Sequence, residues 1–200
     1  MLSELINIYK QKQKEIESHL QKFKSLKKDK YFDEFIFCLL TPQSNAQRCW
    51  QAVLEIKKLR QYNKEKISEI LSNRTRFHNN KASYIMNALK IWNKISTLLN
   101  NTNRVKLRNL LAENVKGYGL KEASHFLRNI GKSENQIAIL DRHILKNLKY
   151  FKIINETKIK SKSQYLQIEQ AFLNFSKTVD IPIDHLDILW WSQENGEIFK

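Results

Sequence analysis

Glycine is scarce in this chain: 200 residues hold four, beside two prolines and two cysteines. So few turn formers exclude a collagen-like or Gly/Ser-linker composition, and no internal repeat or low-complexity block is present. Two isolated cysteines exclude a disulfide-stapled scaffold. Cys38 and Cys49 each sit in an apolar helical pattern and read as buried thiols of an intracellular protein. No apolar run approaches the roughly 18 residues of a membrane span, and the first residues lack the apolar core of a signal peptide. A soluble, cytoplasmic protein of a prokaryotic kind is expected. Negative charge is also short: 20 acidic residues face 35 Lys and Arg, for a net charge of +15. Part of that excess is compositional bias toward Lys and Asn. The acidic residues do not rise to match it, however, so a polyanionic partner is expected, nucleic acid first. The five histidines show no metal-ligand spacing, and no metal or cofactor is implied.

Apolar residues are plentiful and recur with a helical period almost throughout. Helices are expected over about 1–28, 31–40, 45–56, 67–71, 80–99, 104–114, 120–131, 136–151 and 165–179, with a last one opening near Pro182. No stretch alternates as a strand does, so the fold class is all-α. The chain is long enough for two lobes. Residues 35–130 form a central helical lobe, and 1–34 with 132–200 form a second, discontinuous one. A cleft between the lobes is expected to hold the active site.

Three of the four glycines fall between Asn114 and Gly131, in NVKGYGLKEASHFLRNIG. One helix pattern ends before Gly117, and another opens at Leu120 and stops at Gly131. Glycine frees the backbone for positive φ and close approach, so Gly117 and Gly119 mark a hairpin suited to lying against another molecule. The first amides of the second helix carry partial positive charge and offer a phosphate seat. Lys121 stands in that first turn, where the dipole disfavours a cation and favours the neutral, nucleophilic amine. Asp141, in AILDRHIL, opens the next helix, and a carboxylate there can stabilise positive charge developing on a sugar. Alone, each has a plainer explanation: a surface lysine, and a helix cap. The hairpin between them raises the pair above that. Arg128 and Lys132 are candidate phosphate contacts. Asp184 is a cap for the last helix and a candidate contact to a nucleoside.

The hairpin followed by ILDRHIL resembles the helix-hairpin-helix and downstream aspartate of the endonuclease III superfamily of DNA glycosylases. More narrowly, GYGLKEASHFLRNIG, LLTPQSNAQ, RFHNNKASYI and the ending DHLDILWWSQENGEIFK are similar to the second, mainly archaeal class of 8-oxoguanine DNA glycosylase/AP lyases. The resemblance runs from about residue 35 to the C-terminus. It implies that Lys121 is the catalytic lysine and Asp141 the catalytic aspartate. It implies further that Gln43 fills the gap left by an extruded nucleotide, and that Met86 and Trp191 sandwich the flipped base, with Trp190 an equally good aromatic. The terminal carboxylate of Lys200 would accept the hydrogen that 8-oxoguanine carries on N7 and repel the lone pair of guanine. The superfamily's iron–sulfur version needs four closely spaced cysteines near the C-terminus, and this chain has none there.

The function expected is a monomeric, bifunctional repair enzyme acting on double-stranded DNA that contains 8-oxoguanine. Lysine attack on C1′ would release the base and leave a Schiff base, and β-elimination would then cut the strand. Two rivals stand beside it: a non-catalytic helix-hairpin-helix DNA-binding module, and an oxidised-pyrimidine glycosylase/lyase of the same fold. A module has no use for a lysine at 121 with an aspartate at 141.

Overall fold

The computed structural model describes residues 1–196 and 198–199. Among them are ten α-helices, one 3-10 turn and no strand. In chain order the helices are α1 (Leu2–Lys24), α2 (Tyr31–Leu40), α3 (Ala46–Ile56), α4 (Lys64–Ser72) and α5 (His78–Leu98). Then come α6 (Arg104–Asn114), α7 (Leu120–Asn129), α8 (Arg142–Tyr150), α9 (Lys162–Val179) and α10 (Ile183–Asn195). Polar residues start many of them. Asn45, Asn63 and Asn103 cap α3, α4 and α6, and Ser161 caps α9, each side-chain oxygen accepting from a first-turn amide.

The chain divides into two compact units, Leu26–Phe126 and Met1–Ser25 with Leu127–Lys200. The middle unit therefore begins and ends earlier than residues 35 and 130, and the 3-10 turn and α2 belong wholly to it. Its centre is α2, whose residues from Glu34 to Leu40 are all buried. Phe35 lies against Trp92, Tyr118 and Phe126 at 4.9–5.2 Å between ring centroids. Rings at that spacing bury large apolar areas and attract edge to face.

The other unit pairs the two ends of the chain. Leu5, Tyr9, Ile16, Leu20 and Phe23 of α1 are buried, and the Tyr9 hydroxyl meets His185 Nδ1 at 2.9 Å. Trp190 of α10 is fully buried, stacked among Phe151, Phe172 and Phe175 at 5.2–6.0 Å. Helix α7 ends in this unit with Gly131 at φ +68°, where the Lys132 amide reaches back to the Leu127 carbonyl and the Gly131 amide to that of Arg128. A Cβ on Gly131 would stand 2.6 Å from Lys24 Cα and 2.9 Å from Lys24 N. Backbone cannot yield as a side-chain tip does. Gly131→Ala should therefore cost about 2–4 kcal/mol from clash and left-handed strain together. Urea unfolding measures it, and a cost under about 0.5 kcal/mol would mean that α1 does not pack there.

The expected helix over 136–151 is a correction. Its first residues are not helical, and the helix proper begins at Arg142. Ile137 to Leu140 are buried, and the Ala138 peptide is held from both sides by α9. Glu169 Oε1 accepts from the Ala138 amide at 2.8 Å, and the Tyr165 hydroxyl donates to the Ala138 carbonyl at 2.7 Å. Side chains thus supply the partners that a helix would have given this backbone.

Candidate active site

The hairpin between α6 and α7 is anchored from within its unit. Gly117 has φ +95°, and a Cβ there would come 2.5 Å from Tyr84 Cδ2 and 3.1 Å from Leu39 Cδ2. The close approach that Gly117 permits is to its own chain. Tyr118 is buried and donates to the Phe35 carbonyl at 2.8 Å, tying the turn to α2. The Gly119 amide donates to Glu122 Oε2 at 3.0 Å, which is half of a capping box. That amide is consequently engaged, and a phosphate would meet the helix through the amides that follow.

Lys121 lies in the first turn of α7 with its side chain 21% exposed and Nζ 3.8 Å from Glu122 Oε1. It is close enough for its charge to bear on Lys81 and Cys49. Gln43 is exposed at the tip of the turn after α2, and its φ is +54°. Met86 sits half-buried on α5. All four of Gln43, Met86, Gly117 and Lys121 belong to the middle unit.

The remaining candidates fall in the unit of the two chain ends. Asp141 is the N-cap of α8, where Oδ1 accepts from the amides of His143 and Ile144 at 2.8 and 2.9 Å. Both bonds use one oxygen, so Oδ2 is left for another task. Trp190 is core and has no face to offer a base. Its neighbour Trp191 is half-buried, and its ring stacks on Phe199 at 6.2 Å. Lys200 lies outside the described residues.

Two expectations change. Arg128 is not a phosphate contact: only 5% exposed, it pairs with Asp187 Oδ2 at 3.1 Å and lies over the Phe23 ring at 5.2 Å. A guanidinium so enclosed holds its own unit together. Asp184 does not cap α10, whose N-cap is Pro182 without a side-chain bond. Its carboxylate accepts from the Ser133 hydroxyl at 2.6 Å and the Asn135 amide at 3.2 Å, and its own amide donates to Asn135 Oδ1 at 3.1 Å. That clamp holds Glu134 and Asn135, two residues at φ +50° and +57°. Burial pushes the Asp184 carboxyl up, and the Ser133 hydrogen bond and Arg128 pull it back. Both bonds to the carboxylate fall on Oδ2, and through them Asp184 braces the turn at Ser133–Asn135 rather than capping its own helix.

A family model described as 8-oxoguanine DNA glycosylase matches residues 12–181. The chain belongs to the 8-oxoguanine DNA glycosylase family. A relative in Fusobacterium nucleatum, named 8-oxoguanine DNA glycosylase/AP lyase, is 38% identical over 99% of this chain and 97% of its own length. The 8-oxoguanine DNA glycosylase of Thermotoga maritima superposes with a TM-score of 0.89 at 29% identity, covering both chains fully. The 8-oxoguanine glycosylase/lyase of Methanocaldococcus jannaschii, solved with a 15mer DNA containing 8-oxoguanine, superposes with a TM-score of 0.87 at 32% identity. That match covers 98% of this chain and 99% of the other. The all-α fold is the fold of this family.

Two residues in the family member's middle unit escaped the sequence reading. Phe77, the residue before α5, is bulky, 52% exposed and at φ +56°, with the Arg76 guanidinium 5.1 Å from its ring. A left-handed aromatic is costly and exposes apolar surface, and only its neighbour Arg76 in a basic pattern hinted at it. Lys81 is 3% exposed, with its ammonium among backbone carbonyls of the Gln43 turn. Nothing in the sequence separates it from other lysines of the chain.

Proposed function

We propose that this chain is a DNA repair enzyme that excises 8-oxoguanine and then cuts the abasic strand, working as a monomer. Lys121 in the first turn of α7, directly behind the hairpin, carries the proposal. Relatives named 8-oxoguanine DNA glycosylase/AP lyase across nearly the whole chain support it. A base stacked in a duplex is out of reach, so the nucleotide must leave the helix, at a cost of on the order of a few kcal/mol. Gln43, exposed on its turn, would pair with the orphaned base. The α7 amides and a net charge of +15 would hold the strand through its phosphates, so affinity falls steeply with salt.

The Lys121 amine attacks C1′, the C1′–N9 bond breaks, and the base departs with its electron pair and takes up a proton. Ring opening leaves an imine between Nζ and C1′. Loss of a C2′ proton then expels the 3′ phosphate by β-elimination. Asp141 assists the first step by stabilising positive charge on the sugar with the oxygen its cap does not use. Met86 and Trp191 are the candidates to flank the extruded base, a soft side chain and an aromatic ring.

Borohydride trapping tests this directly. Wild-type protein incubated with a duplex holding 8-oxoguanine should give a covalent adduct, and a duplex holding an oxidised pyrimidine should give far less. Active DNA binding with no adduct on either would sink the lyase and leave a binding module. A stronger adduct on the pyrimidine would reassign the lesion.

A further inference from the structure

Lys81 is a buried cation with no carboxylate partner among the described residues. Its ammonium donates to the carbonyls of Leu40 at 2.7 Å and Pro42 at 2.9 Å, and to the Ser44 hydroxyl at 2.9 Å. Three donors thus meet three acceptors, and all three acceptors belong to the stretch around Gln43. Ser44 is a second hub. Its oxygen also accepts from the Arg76 amide at 3.0 Å, and its hydroxyl donates to the Pro42 carbonyl at 3.3 Å. The buried Cys49 thiol donates to the same Leu40 carbonyl at 3.3 Å.

Burying an ammonium is costly, and here backbone dipoles rather than a counter-ion offset that cost. Gln43 itself sits left-handed, which most side chains avoid and which persists only where the surroundings impose it. Its turn has no glycine to relax it. We propose that Lys81 is the positioning residue for this turn: its ammonium ties Leu40, Pro42 and Ser44 together so that Gln43 stands ready, exposed and pre-set, to enter the duplex. The proposal rests on the assignment of Gln43 as the residue that fills the vacated space. Pre-organisation of this kind removes an ordering cost at the moment of insertion.

The charge state adds a second signature. Burial pushes the Lys81 ammonium down to about 8, helped by Lys121 of α7 and Arg76 before α5 and opposed by Cys49 of α3. The neutral amine has two N–H groups for three acceptors, so one tie is lost as pH rises through that value. The folded-state value lies below the ordinary lysine value. Positioning is therefore complete below about pH 8 and weakens above it.

A double-mutant cycle decides the matter, read as single-turnover excision from an 8-oxoguanine·cytosine duplex. Gln43→Ala and Lys81→Met should each slow excision by about tenfold. Because one acts through the other, the double variant should be no more than about twofold slower than either. The ratio of wild-type to Gln43→Ala rates should fall as pH passes 8 and stay flat in the Lys81→Met background. Equal Lys81→Met effects with and without Gln43 would overturn the proposal while leaving Gln43 its role. A silent Gln43→Ala would overturn that role and this proposal with it. If Lys81→Met does not fold, Ser44→Ala removes one acceptor and should slow excision by about threefold only where Gln43 is present. An equal effect in both backgrounds again overturns the proposal.

Discussion

Lys121→Gln is expected to abolish the borohydride-trapped adduct and to slow base excision by on the order of 10³-fold or more, because the covalent step proposed for Lys121 divides one hard step into two easier ones. Glutamine is close to lysine in length and in helix propensity, so the first turn of α7 is kept. The Gly119 amide keeps its bond to Glu122, and the partly exposed side chain leaves no core cavity. Stability should stay within about 0.5 kcal/mol, and DNA binding should persist with a slightly shallower salt dependence. Gel electrophoresis of trapped adducts, with melting of the free protein as control, gives the answer. An adduct formed by Lys121→Gln would assign the attacking amine elsewhere in the chain.

Asp141→Asn separates the helix cap that Asp141 makes from the catalytic role proposed for it. Asn caps a helix about as well as Asp, so the two bonds to the His143 and Ile144 amides survive and α8 stays in place. What goes is the negative charge. Excision should fall by on the order of 10²–10³-fold, the usual effect of removing one electrostatic stabiliser of a transition state. Unfolding free energy should move by less than about 0.5 kcal/mol. Asp141→Ala loses the same activity and about 1 kcal/mol of stability besides, because the first-turn amides lose their acceptor. Should Asp141→Asn excise at the wild-type rate, Asp141 is a cap and nothing more.

The helices were legible where periodicity and end signals agreed. Helices α2 and α6 span the stretches that their apolar spacing predicts. The non-helical segment before Asp141 was not. IAIL has the same apolar character whether helical or not, and the choice is made by Glu169 and Tyr165, about thirty residues further on. In the site, Lys121, Asp141 and the hairpin could be singled out because glycine and charge mark them locally. Arg128 looked like a phosphate contact because its partner Asp187 lies far along the chain. Trp190 and Trp191 are neighbours in sequence on one helix, and only packing shows that one is root and the other half-open. Lys81 was invisible for a different reason: its partners are carbonyls, which every residue has.

The unit built from Met1–Ser25 and Leu127–Lys200 has a consequence for how the protein is made. Helix α1 leaves the ribosome well before α10, yet Tyr9 and Lys12 find His185 and Ser192 only when α10 follows. At about 5–20 residues per second that wait is on the order of ten to thirty seconds. Through it, the part of the α1 face that packs on α10 has no permanent cover, while Leu26–Phe126 holds all of its own sequence and can condense early. The lysines and glutamates along the other face of α1 keep the waiting helix in solution. The newborn chain thus acquires the unit of Lys121 before the unit of Asp141.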